Sequence, residues 1–315
     1  IMEYLTSGIT SAFDMYIYPK EVIQACVDCG FRIVQVSGLN NFTSSLEELE
    51  EQYVTYNDYH ELCSYKLGFH AEYTTDKKLL EGLAGLSEKY HAPVYTHNSE
   101  TKREVEECRQ RYGKSPTQLF EEMGLYRYGG GGYHCIWFDD EDIDIFAKRN
   151  LSVVTNPASN LKLASGIAPL KKMQEAGINL AIGTDGPASN NCLDMFREMF
   201  LVTGLAKLRE HDAAVMDAND VLYMATTGGA KAMGLSDCDC LAVGKKADLF
   251  LMDLMQPNMQ PEHNLTKNLV YSGSKQNVKL TMVNGKILYE DGQFFISEEP
   301  QEIYKKANEI VSRMK

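Results

Sequence analysis

The sequence predicts an α/β chain: a (β/α)8 TIM-type barrel that lacks its first strand and carries a small C-terminal β subdomain. Three observations lead there. Strand-like and helix-like segments alternate from Ile9 to Gly186, the pattern of parallel βα units. Three strand-like segments close on polar side chains, His97, His134 and Asp185, at the position where a barrel gathers its catalytic groups. Beyond Asp185 the texture changes to long helical patterns and then to short alternating strands around an Asn284-Gly285 turn.

Taken in order, Ile1 to Gly8 reads as the last turns of a helix whose beginning is absent. Strands are expected at Ile9–Met15, Arg32–Val36, Leu67–Tyr73, Val94–His97, Gly132–Trp137, Ser152–Asn156 and Asn179–Thr184. Apolar residues at spacings of three and four predict helices at Pro19–Cys29, Leu46–Tyr65, Asp76–Tyr90, Ser99–Arg111, Asp139–Lys148 and Pro169–Ala176. Asp76, Ser99 and Asp139 serve as N-caps, and Gly30, Gly124 and Gly177 follow helix ends. The four glycines Gly129 to Gly132 precede a strand instead of following one, and read as a flexible turn. A doubly wound sheet would also hold seven parallel strands, but it normally brings a dinucleotide or phosphate loop, which this chain lacks. Further helices follow at Asn191–Arg209 and Ala218–Met233, strands at Leu249–Asp253, Val278–Val283 and Lys286–Tyr289, and a charged helix at Pro300–Lys315. The expected division is an incomplete barrel over 1–240, part of a β-sandwich over 241–292 and a terminal helix over 293–315.

Composition narrows the function. A net charge of −13 argues against nucleic acid or an anionic membrane as partner, because phosphate binding needs a basic face. No apolar run approaches the ~20 residues of a membrane span. Eight cysteines are scattered without a disulfide framework, which suits a reducing cytoplasm. Cys26 and Cys29 form a C-x-x-C with no second pair, and Cys238-Asp239-Cys240 reads as loop. A small-molecule substrate is the remaining partner class, with self-association, or association with an absent N-terminal segment, to cover open strand edges.

A lone histidine in an apolar strand is usually a core or surface residue. His97 and His134 in matching strand-end positions, with Asp185 in a third and Glu100 three residues after His97, point instead to a site. His60, His91, His211 and His263 lie in polar or helical surroundings and read as surface.

Particular stretches carry a resemblance. They are Gly68-Phe69-His70-Ala71-Glu72-Tyr73-Thr74, His97-Asn98-Ser99-Glu100-Thr101, Tyr133-His134-Cys135, Asn156 through Gly166, Gly183 through Asn191, Gly244 through Asp253 and Val283-Asn284-Gly285-Lys286. Together they resemble the amidohydrolase superfamily, most closely its deaminases of S-adenosylhomocysteine and 5′-methylthioadenosine, with triazine chlorohydrolases and guanine deaminases as near relatives. The resemblance implies a metal-dependent hydrolytic deaminase using one divalent ion: zinc, with iron or manganese as alternatives. It implies His97 and Asp185 as metal ligands, with Asp185 also taking a proton from the bound water. Glu100 would carry protons to the ring nitrogen and the departing amine, His134 would orient the attacking oxygen, and His70, Glu100 and Asp185 would contact the substrate. Asn156, Ser189 and Asn190 are expected either to shape the pocket or only to cap turns.

The chain departs from the family pattern in three places. No His-x-His pair occurs, the motif that supplies two metal ligands from the family's first strand, and the absence coincides with the missing strand. Glu72 replaces the usual proline and is expected near the substrate mouth or facing solvent. Val36-Ser37-Gly38-Leu39 lacks the arginine that holds a homocysteine carboxylate in some of these deaminases. Two alternatives stay open: a triazine-type chlorohydrolase or aminohydrolase, and a non-catalytic remnant unable to hold metal.

Overall fold

The computed structural model describes residues 1–314; Lys315, the last residue of the expected terminal helix, lies outside them. Seven parallel strands pair in chain order: β1 Ser11–Met15, β2 Arg32–Val36, β3 Cys63–Phe69, β4 Val94–Asn98, β5 Gly130–His134, β6 Ser152–Thr155 and β7 Asn179–Ile182. Strands β2, β5, β6 and β7 are buried at every position, as expected for a parallel sheet covered by helices. Each connection returns through helix, so the C-terminal ends of all seven strands open on the same face. Strands β1 and β7 each have a sheet neighbour on one side only.

Several boundaries differ from the sequence reading, for identifiable reasons. The helix expected to run to Tyr65 stops at Asn57, and β3 begins at Cys63. Asn57 ends it by turning its amide onto the next strand: Nδ2 donates to the Tyr65 carbonyl and Oδ1 accepts the Tyr65 N–H, both at 2.9 Å. Strand β3 ends at Phe69, and Glu72–Thr74 is a short 3-10 turn. Ser99 is not a helix cap; Thr101 caps the helix Lys102–Tyr112 through a capping box with Glu104.

Gly130 to Gly132 are strand, not flexible turn, and only Gly129 of the run lies outside β5. A Cβ on Gly130 would sit 1.9 Å from the Val94 carbonyl oxygen, and one on Gly131 2.4 Å from that of Ser152. Only glycine lets β5 lie this close to both neighbours. The long helix expected over Ala218–Met233 is interrupted by a π-helical stretch, Met224–Gly228. There Gly228 backs onto β7, where a Cβ would come within 2.2 Å of the Leu180 carbonyl oxygen.

Helices absent from the sequence reading include Pro116–Glu122, Leu265–Ser272 and two one-turn pieces directly beyond strand ends, Pro157–Lys162 after β6 and Pro187–Asn190 after β7. A four-stranded antiparallel sheet follows: β8 Leu249–Met252, β9 Val278–Val283, β10 Lys286–Glu290 and β11 Gln293–Phe294, in the order β11-β10-β9-β8. Its β9–β10 turn places Asn284 at φ 50° and Gly285 at φ 78°, both left-handed as a tight hairpin requires. The helix Pro300–Arg313 buries no residue. No helix among the described residues is long and apolar enough to cross a membrane.

Candidate active site

His97 lies near the end of β4, His134 at the end of β5, and Asp185 three residues past β7. The His97 and His134 rings stack with centroids 5.5 Å apart, and the His70 ring, just beyond β3, lies 5.0 Å from that of His97. Glu100, in the turn between β4 and the next helix, brings Oε2 to 3.9 Å from His134 Nε2. The other Glu100 oxygen accepts the Ser165 hydroxyl at 3.1 Å.

Hydrogen bonds set the tautomers. His97 Nδ1 faces the His70 carbonyl at 2.8 Å, and because a carbonyl only accepts, Nδ1 carries the proton and Nε2 is bare. His134 Nδ1 likewise donates to Asn160 Oδ1 at 2.6 Å. Thr74 gives its hydroxyl proton to the Ala71 carbonyl, so at 3.0 Å it accepts from His70 Nδ1. All three imidazoles therefore carry a proton on Nδ1. Burial, reinforced by His134 and His70 beside it, pushes the His97 ring down to about 3, so it stays neutral. Burial also lowers His70.

Asp185 is held the other way. Burial alone would raise it, but the Ser159 hydroxyl on Oδ2 at 2.5 Å, His134, the Gly186 N–H on Oδ1 at 2.6 Å and His97 together keep its carboxyl below the usual range. The backbone is strained at these strand ends: Ser99, His134, Cys135 and Asp185 have φ of 51°, 69°, 50° and 58°. Glu104, buried, receives the Ser99 and Glu100 N–H groups at 3.1 and 2.8 Å and so shapes the turn that presents Glu100.

Glu72 neither lines the mouth nor faces solvent. Its buried side chain turns in to bond Arg111, fastening the His70 loop to the helix after β4. Asn156 is buried with Nδ2 3.5 Å from His134 Nε2, and Asn190 is buried in a bonded network; Ser189 makes no side-chain contact of note. His60, His91, His211 and His263 are exposed. Sequence reasoning gave no role to Ser159, Asn160 or Ser165, although Pro157 directly after a strand, at the first position of a helix, signals that the next side chains face the strand ends.

Residues 1–288 match the amidohydrolase family. The chain belongs to that family. It is 35% identical over 324 residues to the 5-methylthioadenosine/S-adenosylhomocysteine deaminase of Thermoanaerobacter pseudethanolicus, an alignment covering 99% of this chain and 75% of the relative. It is 36% identical to the 5′-deoxyadenosine deaminase of Methanothermobacter thermautotrophicus over 95% of the chain and 71% of that protein. Among solved structures, an adenosine deaminase from Xanthomonas campestris with bound zinc superposes with a TM-score of 0.91 at 33% identity, over 98% of this chain and 72% of that one. The atrazine chlorohydrolase of Arthrobacter aurescens superposes at 0.89 with 22% identity, over 98% and 74%, a likeness of fold.

The donors suit a divalent ion in kind: a neutral imidazole with a bare Nε2, its Nδ1–H fixed on a carbonyl as metal-ligating histidines usually are, and an ionised carboxylate. In number they fall short. Among the described residues no three His, Cys, Asp or Glu side chains are grouped to hold an ion, whereas a catalytic zinc takes three protein ligands.

Proposed function

We propose that this chain forms the greater part of a metal-dependent aminohydrolase that deaminates adenosine-type thioethers such as 5′-methylthioadenosine and S-adenosylhomocysteine. One observation carries the reading: His97, His134, Glu100 and Asp185 converge at the strand ends of a chain 35% identical to a deaminase of those compounds. His97 and Asp185 are the proposed metal ligands. When bound, a zinc, iron or manganese ion supplies the Lewis acidity that brings a water toward a pKa of ~7.

The chain's own groups divide the proton work. Hydrolytic deamination moves both protons of the attacking water in turn, one to the ring nitrogen and one to the departing amine. Asp185, held ionised, accepts. Glu100, opposite His134 and fixed by Ser165, delivers. His134, its Nδ1–H held by Asn160, points Nε2 at the developing oxygen, and His70 contacts the purine or ribose. In this reading the gap between β1 and β7 is the place of the strand that closes the barrel and brings the remaining ligands, and the division near 240 separates barrel from small sheet, while β11, Gln293–Phe294, moves the boundary with the terminal helix beyond 292. The donor count favours one rival, a remnant that folds but does not hold metal.

Ammonia release from 5′-methylthioadenosine, S-adenosylhomocysteine, 5′-deoxyadenosine and a chlorinated and an aminated triazine, with metal content measured on the same sample, separates the readings. Release from the nucleosides supports the proposal. Bound metal with turnover of triazines alone overturns the substrate class. A folded protein without metal, even after zinc is supplied, supports the remnant.

A further inference from the structure

We infer that Glu198 is a positioning residue that fixes the turn after β7 against the turn after β6. The inference rests on the aminohydrolase reading only for its kinetic consequence. Glu198 lies in the helix Met195–Glu210 and has no solvent contact. Its Oε2 accepts the Ala158 N–H at 3.0 Å, and its Oε1 accepts Nδ2 of Asn190 at 2.7 Å. The same Asn190 amide also donates to the Thr184 carbonyl at 2.6 Å. One carboxylate therefore ties the first turn of Pro157–Lys162 to Pro187–Asn190 and, through Asn190, to the end of β7.

What hangs from those two turns is the site. Ser159, next to Ala158, donates to Asp185. Asn160, one residue further, accepts from His134 Nδ1. Thr184, gripped by Asn190, immediately precedes Asp185. Glu198 touches neither Asp185 nor His134, yet sits within two residues of each contact that orients them.

The residue type follows from the partners. The Ala158 N–H lies in a first helical turn with no carbonyl of its own, and a buried orphan donor is costly. Both partners donate, so the strut must accept at both tips, which a carboxylate does and a carboxamide does not. Burying a carboxylate with no salt-bridge partner is itself unfavourable, so its presence on a helix face that otherwise buries Phe196, Met199, Val202, Thr203 and Ala206 needs a compensating structural role. Asn190 Oδ1 has no hydrogen-bond partner, so the orientation of that amide is set by its two acceptors, Thr184 and Glu198.

Glu198→Gln preserves volume and one acceptor but faces an NH2 toward the Asn190 NH2. The test compares it with Glu198→Ala, which removes both ties, and with Asp142→Asn, a change to another fully buried carboxyl that bonds Ser115 away from the strand ends. Backbone hydrogen exchange is followed without metal or substrate, and ammonia-release kinetics on the active protein. For Glu198→Gln, exchange across 184–190 is expected to rise at least tenfold while Ala158 stays protected, and kcat to fall ~10- to 100-fold with KM little changed, the cost of misplaced groups. Glu198→Ala is expected to release Ala158 as well. Asp142→Asn should lower stability and leave both readouts at wild-type levels. Wild-type exchange across 184–190 in Glu198→Gln, or an equal kcat loss in Asp142→Asn, overturns the inference. Faster exchange in Glu198→Gln, with metal bound but no ammonia release even from the wild type, upholds the strut and overturns the deaminase reading instead.

Discussion

Arg32 and Asp248 meet in a two-pronged ion pair, Nε to Oδ2 at 2.6 Å and Nη2 to Oδ1 at 3.0 Å, with both side chains almost fully enclosed. It fastens the base of β2 to the small antiparallel sheet, and Asp248 also accepts the Asn284 N–H at 2.7 Å in the β9–β10 turn. Breaking one side strands the other charge in a dry interface. Asp248→Asn should therefore lower the unfolding free energy by ~3–5 kcal/mol, while Arg32→Met with Asp248→Leu recovers most of it. Urea unfolding of the three proteins measures this; a loss below about 1 kcal/mol in the single variant would show a pair of little consequence.

In the metal-free protein the site histidine and the buried carboxyls titrate against each other. His97 falls to about 3 when folded, so the unfolded chain takes up the proton first, and stability present above pH 6.5 is lost as pH falls toward 3. Glu104 and Glu198 are pushed up to about 7 by burial, so the folded chain binds their protons first, and stability declines as pH rises from 4.5 to 7. His97→Gln should therefore make unfolding free energy fall more steeply with pH than wild type by ~1.4 kcal/mol per unit, one proton's worth, between 4.5 and 6.5. Glu104→Gln should flatten the curve by a similar amount over 4.5 to 7. Denaturant titrations in half-unit pH steps test both, and difference slopes of opposite sign would reverse the assignment.

Glycines divide sharply. Gly131→Ala, whose Cβ meets the Ser152 carbonyl oxygen at 2.4 Å, should prevent β5 from pairing and give insoluble or unfolded protein. Gly85, inside the helix Lys77–Tyr90 with open space around it, should accept alanine and gain ~0.5–1 kcal/mol. Thermal midpoints read both. A folded, unshifted Gly131→Ala protein would mean that the strand contact is looser than drawn.

The two carboxylates proposed to act in the site, Glu100 and Asp185, should fail differently. Glu100→Gln should cost ~10²–10⁴ in ammonia release while metal stays bound, because the role proposed for the group is to move protons and not to hold the ion. Asp185→Asn should lose activity and metal together. Metal content beside turnover distinguishes them; metal lost from Glu100→Gln would place that residue among the ligands.

Alternation of strand and helix made the parallel sheet legible, and strand-end positions singled out His97, His134 and Asp185. The glycine strand was not legible, because Gly130 and Gly131 are demanded by the approach of Val94 and Ser152, and nothing local announces a distant carbonyl. Asn57 hid the boundary after Leu46 for a related reason: the residue reads as helix surface until its amide is seen on Tyr65. Ser159, Asn160 and Glu198 escaped because their function lies in which groups they hold across the fold, and serine, asparagine and glutamate are ordinary in helices and turns.

The left-handed residues at the strand ends carry a consequence for selection. Ser99 and Cys135 adjoin the functional side chains without being among them, and at both the backbone adopts a geometry that glycine would accept with less strain. Glycine at either would also forfeit contacts, because Cys135 is enclosed in the core and the Ser99 hydroxyl donates to Asn98 Oδ1 at 2.9 Å. Relief of backbone strain and loss of packing therefore oppose each other at these two codons, and selection for heat resistance alone has little to gain from either.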